Sequence, residues 1–417
     1  MSKLKDLSIN ITDGEHGTVK DDIDGEYFLL SNKNIVDGNI VIGKNERKIN
    51  KVTFDKINKR TKLEVGDVVI STVGTIGKTA VIEDNNINYV FQRSVGIIKV
   101  DKNKLNPYYL KYQLDSEEFQ KRMIKLSKGA IQKCLYISDL EELEIKTVEL
   151  EEQNKIANKL KSIDDKIKNN IKIINELEQM IKTIYDYWFL QFDFPNKDGK
   201  PYKFNAGKMI WNESLKREIP CEWNVKRIVD IENNIITGKT PSTKDEENFN
   251  GDIPFITIDD IRKGLYVSNT IRTLSEKGAN SQIKKYIPED AICVTCIATV
   301  GLIGIATKKS QTNQQINSIV CKNKNNIYYL INALNNYFKY SSGAKSGNIF
   351  DNMNKDDFSS IELVYPTENI LKLFTQKVEP AYYKIKSCIL ENEELINLKE
   401  FLLPLLINNQ ITIKKDS

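Results

Sequence analysis

VELEEQNKIANKLKSIDDKIKNNIKIINELEQMIKTI, residues 148–184, carries a seven-residue apolar repeat around which the chain is built. Placed on a heptad, it puts Leu160, Ile167, Ile174 and Ile181 at one apolar position and Ile156, Ile163, Asn170, Leu177 and Ile184 at the other. This alternation of four- and three-residue steps is the seam of a coiled coil. Glu151, Lys155, Lys159, Lys161, Asp165, Lys166, Lys168, Glu176 and Lys182 take the remaining faces, so one narrow apolar stripe is left for a partner to cover. The chain carries a matching stripe near its end: Leu371, Phe374, Val378, Ala381, Ile385, Cys388, Leu395 and Leu402, interrupted by Asn392. Two ordinary core helices would show the same spacing, but each stripe here follows a similar globular stretch, which favours pairing of the two with each other. A polar amide in such a seam costs stability unless partnered, so Asn170 and Asn392 are expected to select one register. An unbroken helix over the first stripe spans about 55 Å. Pro380 and Pro404 would kink or end the second.

Working outward, the two flanking stretches read as copies of each other. Gly14 matches Gly238, and the run from Asp24-Gly25 through Ile35 matches Asn250-Gly251 through Ile261. Gly66-Asp67 parallels Glu289-Asp290, Gly74 and Gly77 parallel Gly301 and Gly304, and Gln92 parallels Gln314. Tyr108-Tyr109-Leu110 with Tyr328-Tyr329-Leu330, Gly129-Ala130 with Gly343-Ala344, and Ile156 with Phe374 complete the series, always in the same order. Within each copy, β-rich runs (68–73 and 89–100; 253–258, 291–306 and 316–321) alternate with Gly, Asn and Asp turns. Helical passages then follow, from Pro107 and from Tyr328. The expected class is α+β: two similar domains separated by two long antiparallel coiled-coil helices, an internal repeat with pseudo-two-fold character. The expected boundaries are 1–147, first domain; 148–190, central helical region; 191–212, a linker rich in Asp, Lys, Gly and Pro; 213–366, second domain; 367–410, C-terminal helical region; 411–417, tail.

Composition sets limits on function. With 61 Lys and Arg against 57 Asp and Glu, a net charge of +4 permits nucleic acid as a partner without demanding it. No run approaches the roughly 18 apolar residues of a membrane span, and the N-terminal residues lack the apolar core of a signal peptide, so a cytoplasmic location is expected. The six scattered cysteines agree with a reducing compartment.

The chemical motifs are mostly absences. His16 is the only histidine, which excludes mechanisms needing two imidazoles. Gly77-Lys78-Thr79 and Gly238-Lys239-Thr240 resemble the end of a phosphate loop, yet Thr72 and Asn233 stand where the leading glycine belongs. Cys293 and Cys296 have metal-ligand spacing without a second pair and read as buried strand cysteines; no metal is expected. Asn106-Pro107-Tyr108-Tyr109 lacks the second proline of a methyltransferase motif and reads as a helix start, and Glu144-Ile145-Lys146 lacks the Pro-Asp of a nuclease pattern. No catalytic residue is identified. A stand-alone nuclease or methyltransferase would need a site that the sequence does not offer.

Recognition remains. Two diverged units on a rigid spacer suit a bipartite site in duplex DNA, with spacing set by the protein. Basic and amide side chains near loops are the candidates for phosphate and base-edge contacts: His16, Lys33, Lys78, Gln92, Arg93 and Lys128 in the first unit, Lys239, Thr240, Ser242, Gln314, Gln315 and Lys345 in the second. A scaffold that joins two protein partners without binding DNA would use the same architecture.

The chain resembles the specificity subunit of type I restriction-modification systems along nearly its whole length. The resemblance is carried by Ile219-Pro220-Cys221-Glu222-Trp223 with Ile228 and Ile231, by Thr237-Gly238-Lys239-Thr240-Pro241-Ser242, and by Gly251-Asp252-Ile253-Pro254-Phe255-Ile256. The aromatic exit Tyr187-Trp188-Phe189-Leu190-Gln191-Phe192-Asp193-Phe194 and the close from Leu402 to Ile411 add to it, with Asn408-Asn409 replacing the usual Ser-Gly. The first domain departs most, with Gly14-Glu15-His16-Gly17 in place of the Gly-Lys-Thr-Pro turn and no Pro-x-x-Trp. The resemblance implies two target-recognition domains and a non-catalytic DNA-binding subunit acting in phage defence. It also implies two methylation (M) subunits using S-adenosylmethionine on adenine, and restriction (R) subunits using ATP and Mg. No cofactor is implied for this chain itself.

Overall fold

The computed structural model describes residues 1–129, 133–343 and 352–413. The heptad stretch is a single 36-residue helix, Leu150–Tyr185, which widens into a π-helical turn at Asp186–Leu190. The second stripe is one 40-residue helix, Glu368–Ile407. Pro380 and Pro404 do not break it. Both lie at exposed positions, as do Gln376 and Glu400, so water can take the place of the amide hydrogen each proline withholds from the carbonyl one turn back. No helix among the described residues is long and apolar enough to cross a membrane.

The chain divides into two units, Met1–Lys168 with Glu394–Ser417, and Asn169–Glu393, so each unit holds a part of both long helices. In the first unit, Ile156, Ala157 and Leu160 share a core with Leu406 and Ile407, and the Lys399 ammonium sits 2.6 Å from the Asp164 carboxylate. In the second, Ile181 and Tyr185 share a core with Leu371, Phe374, Val378, Ala381 and Ile385, joined at its margin by Ile174 and Leu177. There Asn170 Nδ2 donates to Asn392 Oδ1 at 2.9 Å. In both units the residue numbers of one helix rise as those of the other fall, so the pairing is antiparallel, and the two seam asparagines meet.

Outside the helices the two units share one strand plan. The first has an antiparallel four-stranded sheet in the order Ser8–Asp13, Val95–Val100, Val68–Ser71, Thr79–Val81. The second repeats it with Ile235–Thr237, Ile316–Ile319, Ile292–Thr295 and Ile303–Ala306, adding Tyr266–Val267 at the edge. Beside it, Lys48–Ile49, Tyr27–Leu30 and Tyr89–Phe91 form a three-stranded sheet whose last pair is parallel, as do Arg272–Leu274, Phe249–Ile256 and Gln311–Thr312. The inner strands Val68–Ser71, Val95–Val100 and Ile292–Thr295 are short apolar runs buried almost throughout because both faces are covered, whereas the edge strands Ser8–Asp13 and Arg272–Leu274 stay partly exposed.

Backbone hydrogen bonds correct the register of the repeat. Gly77 N donates to Ser71 O as Gly301 N donates to Thr295 O, both glycines with φ near +90°, so Gly77 and not Gly74 is the counterpart of Gly301. Gly66 N bonds Ile82 O as Asp290 N bonds Ala306 O, which shifts that match from Glu289 to Asp290. Gly25 and Gly251 are matched as expected: an added Cβ would lie 2.4 Å from Ile49 O and 2.7 Å from Leu274 O, respectively. Ala130 and Ala344 of the repeat lie outside the described residues.

Two further expectations are corrected. The helical passage from Pro107 is two helices, Pro107–Asp115 and Glu117–Leu126, because Ser116 is extended; Asn106 caps the first through Tyr108 N and Tyr109 N. The stretch 191–212 is not a loose linker. Phe192 and Phe194 are buried against Trp223, Phe194 stacks on Tyr202 at 4.6 Å, and Met209–Asn212 pairs with Arg217–Pro220. Aromatic burial outweighs the Gly, Pro and Lys content that made the stretch look unstructured.

Candidate nucleic-acid interface

The β-rich run from Tyr89 to Val100 is two strands in two different sheets, and Gln92–Ser94 is the corner between them. Asn313–Gln315 is the equivalent corner of the second unit. A loop crosses each corner. In the first unit Gly14 N donates to Val95 O, Glu15 N to Phe91 O, and Arg93 N to Glu15 O. In the second Gly238 N donates to Ile316 O and Lys239 N to Thr312 O. The crossing needs glycine: a Cβ on Gly14 would lie 2.2 Å from Phe91 O, and one on Gly238 2.2 Å from Asn313 O. Val95 N to Gln92 O and Ile316 N to Asn313 O close the corners. Gln92 therefore corresponds to Asn313, and Arg93 to Gln314; the match of Gln92 with Gln314 is off by one, because a corner residue outside any sheet carries no strand alternation to set its register.

In the first unit the turns around the corner are tied together at one end of the four-stranded sheet. Asn32 Nδ2 donates to Val73 O at 2.7 Å and Asn32 N to Ser94 Oγ at 3.2 Å. Gly74 N reaches Lys133 O, and Cys134 pairs with Lys128. Gln92, Arg93, Lys78 and Lys128 thus stand on adjoining turns. Arg93 and Lys78 are exposed, with no carboxylate in ion-pairing range among the described residues. Lys128 lies 3.9 Å from Asp139 Oδ1 and over the Tyr136 ring. Lys33 is paired with Glu46 at 3.0 Å. His16 Nε2 lies 2.6 Å from Asp13 Oδ2, while Arg60 donates to Gly14 O at 2.5 Å and fixes the loop from beneath.

In the second unit Thr240 Oγ1 donates to Gln314 Oε1 at 2.6 Å, orienting an exposed amide. Lys239 is exposed beside it, held by its backbone; Gln282 Nε2 donates to Lys239 O at 2.7 Å. Ser242 keeps its hydroxyl at the surface while its carbonyl accepts from Asn248 Nδ2. Gln315 is engaged inside the corner, its Oε1 accepting from Asn313 Nδ2 at 2.9 Å. Lys345 lies outside the described residues.

Sequence reasoning missed Asn32, Ser94, Lys133 and, in the second unit, Arg262, whose Nη2 donates to Thr299 Oγ1 at 2.8 Å. One signal was legible. Ser31 with Asn34 and Thr257 with Asp260 are reciprocal capping boxes at matched places, marking the turn that carries Asn32 in one unit and precedes Arg262 in the other.

Other side chains with chemical potential are structural here. Cys293 and Cys296 are buried, and burial pushes their thiols up to about 12 and about 11. Among the described residues no group of three or more His, Cys, Asp or Glu could hold a metal ion. Thr79, at the end of the loop-like Gly77-Lys78-Thr79, is buried in a strand and hydrogen-bonded to Asp115.

The sequence matches the family described as type I restriction modification DNA specificity domain over residues 21–179 and 220–410. It is 30% identical to the type I restriction enzyme HindI specificity subunit of Haemophilus influenzae, covering 84% of this chain and 87% of that one. It is 24% identical to the MjaIX specificity subunit of Methanocaldococcus jannaschii, covering 90% and 84%. A crystal structure of the type I restriction-modification S subunit from M. genitalium superposes with a TM-score of 0.60 at 16% identity, over 100% of this chain and 96% of that one, and shares the fold. Two copies of one strand plan on paired antiparallel helices, with the family match falling once in each half, place this chain in the type I restriction-modification specificity family.

Proposed function

We propose that this chain is the DNA-reading subunit of a type I restriction-modification complex, each unit reading one half of a bipartite target. The observation that carries this reading is the pair of corners: a backbone crossing that shares three hydrogen bonds carries the exposed Arg93 in one unit and the exposed Gln314 in the other. A guanidinium fork and a carboxamide hydrogen-bond different base edges in the major groove, so one scaffold with exchanged side chains reads two sequences. Exposed Lys78, Lys128 and Lys239 on the adjoining turns would hold phosphates and set register.

In this reading the chain carries no catalytic group of its own. Two methylation subunits supply S-adenosylmethionine and modify adenine, flipping the base into their own pocket. Restriction subunits supply ATP- and Mg-dependent cleavage, and the assembly works in the cytoplasm. The test is binding of the full chain with its methylation subunits to duplex libraries across a salt series, with methylated sites read by sequencing. Arg93→Ala should relax preference at a base pair of one half-site, by about 1–3 kcal/mol, and Gln314→Ala at one of the other half. Uniform weakening at all sequences, or no change in preference, would reject the assignment of the corners as readers.

A further inference from the structure

The whole chain carries a net charge of +4, and residues 192–221, with six cations against four carboxylates, carry half of that excess. Arg217 packs over the Phe192 ring, but the five lysines are not spent inside the protein. Lys197, Lys200, Lys203, Lys208 and Lys216 are all exposed, and none has an ion-pair partner among the described residues. Elsewhere lysines are commonly paired: Lys161 with Glu83 and Asp165, Lys277 with Asp245 and Glu247, Lys146 with Glu118.

The backbone bearing these lysines is firmly built. Asn196 Oδ1 accepts from Asp198 N and Lys200 N, Lys203 N donates to Phe192 O, and Tyr202 N to Phe194 O. Tyr202 Oη donates to Lys208 O, with its ring packed on Gly207, where a Cβ would lie 2.3 Å from the ring. The stacked series Tyr202, Phe194, Trp223 anchors the module to the core of its unit. Two large rings are left outside it: Phe204 is 84% and Trp211 57% exposed. A rigid module with unpaired ammoniums and free aromatic faces has the chemistry of a nucleic-acid contact. Ammoniums displace counterions from phosphates, and rings pack on the sugars of the backbone without regard to sequence.

We infer that residues 192–221 form a second, sequence-independent DNA contact, a clamp on the phosphate backbone separate from the corners that read bases. This inference rests on the DNA-reading function proposed above and adds to it a source of affinity that is blind to sequence. An acidic protein surface is the competing occupant; the exposed rings interleaved with the cations favour nucleic acid.

The test uses the full chain assembled with its methylation subunits, comparing the parent with a variant carrying Lys197→Gln, Lys200→Gln, Lys203→Gln, Lys208→Gln and Lys216→Gln. All five side chains are exposed, so the fold should be kept, which circular dichroism and the melting temperature check. Affinity for a target duplex and for a scrambled duplex should fall by the same factor, roughly ten- to a hundredfold near 0.15 M salt, and the slope of log K against log salt should shrink by about 0.9 for each phosphate that the variant no longer neutralises. The pattern of methylated sites should not change. An unchanged slope in a variant that folds and still methylates its target would overturn the clamp while leaving the reading function intact. So would loss of the methylation subunits from the complex at unchanged DNA affinity, which would make the surface a protein dock. A parent with no salt-sensitive, sequence-selective binding would overturn both.

Discussion

Asn170 offers the sharpest test of the helix pairing. It is fully buried, and its Nδ2 donates to Asn392 Oδ1 at 2.9 Å and to Glu391 Oε2 at 2.8 Å. Its own Oδ1 is buried without a partner. Asn170→Leu removes both donated bonds and strands the Asn392 amide in an apolar seam, costing about 1–3 kcal/mol; the buried leucine returns about 1.5–3 kcal/mol, so the single change should be close to neutral or mildly destabilising. Asn170→Leu with Asn392→Leu leaves only the half-exposed Glu391 carboxylate to exchange a donor for water, removes an oxygen that is already unsatisfied, and gives the seam two leucines. The double variant should be more stable than the parent by about 1–4 kcal/mol, as for other buried polar groups replaced by apolar ones. The cycle of four proteins should then show a coupling of about 1–3 kcal/mol. Urea unfolding followed by helical circular dichroism supplies the free energies, and hydrogen exchange of amides 167–177 shows whether the change is local to the seam. Effects that add to within about 0.5 kcal/mol would mean that the two asparagines do not meet, and the antiparallel register would fall with them. If the pair selects the register, the stabilised double variant should also lose selectivity in methylation, since an all-leucine seam tolerates shifted pairings.

Other outcomes follow from single positions. Gly238→Ala puts a Cβ 2.2 Å from Asn313 O and should abolish reading of the second half-site while the first is kept; Gly14→Ala, 2.2 Å from Phe91 O, should do the reverse, both scored by methylation-site sequencing. Pro380→Ala restores an amide hydrogen to a helix that continues unbroken through the position, and should raise the melting temperature through a gain of about 1–3 kcal/mol. A thiol reagent at pH 8 should label Cys134 and Cys221, which are partly exposed, before Cys293 and Cys296, whose buried thiols are pushed up to about 12 and about 11. Equal rates for all four would show that the sheet of the second unit is open to solvent.

The most legible features were those written in local spacing. Heptad positions from Ile156 to Ile184 predicted one continuous helix, and Leu150–Tyr185 is that helix. The order of matched motifs predicted two copies of one domain, and the strand plans agree. Legibility failed wherever a distant partner decides. Residues 191–212 read as linker because their buried anchors, Phe192 and Phe194, find Trp223 only after the chain has folded back. Pro380 read as a break because the sequence does not reveal that the orphaned carbonyl lies on a wet face.

The candidate site shows the same division. Gly14 and Gly238 were picked out correctly as a pair, since only glycine tolerates a backbone crossing at 2.2 Å. Arg93 was named, but its equivalence to Gln314 was not, because the corner has neither heptad nor strand period and its register is set by the matched bonds Glu15 N to Phe91 O and Lys239 N to Thr312 O. The long helices, the duplication and the residue types available for contact could all be read along the chain, because they follow from periodicity and order. Which residues share a corner, which lysines stay unpaired and where the turns converge emerged with the folded chain, because those depend on hydrogen bonds and ion pairs between residues tens of positions apart.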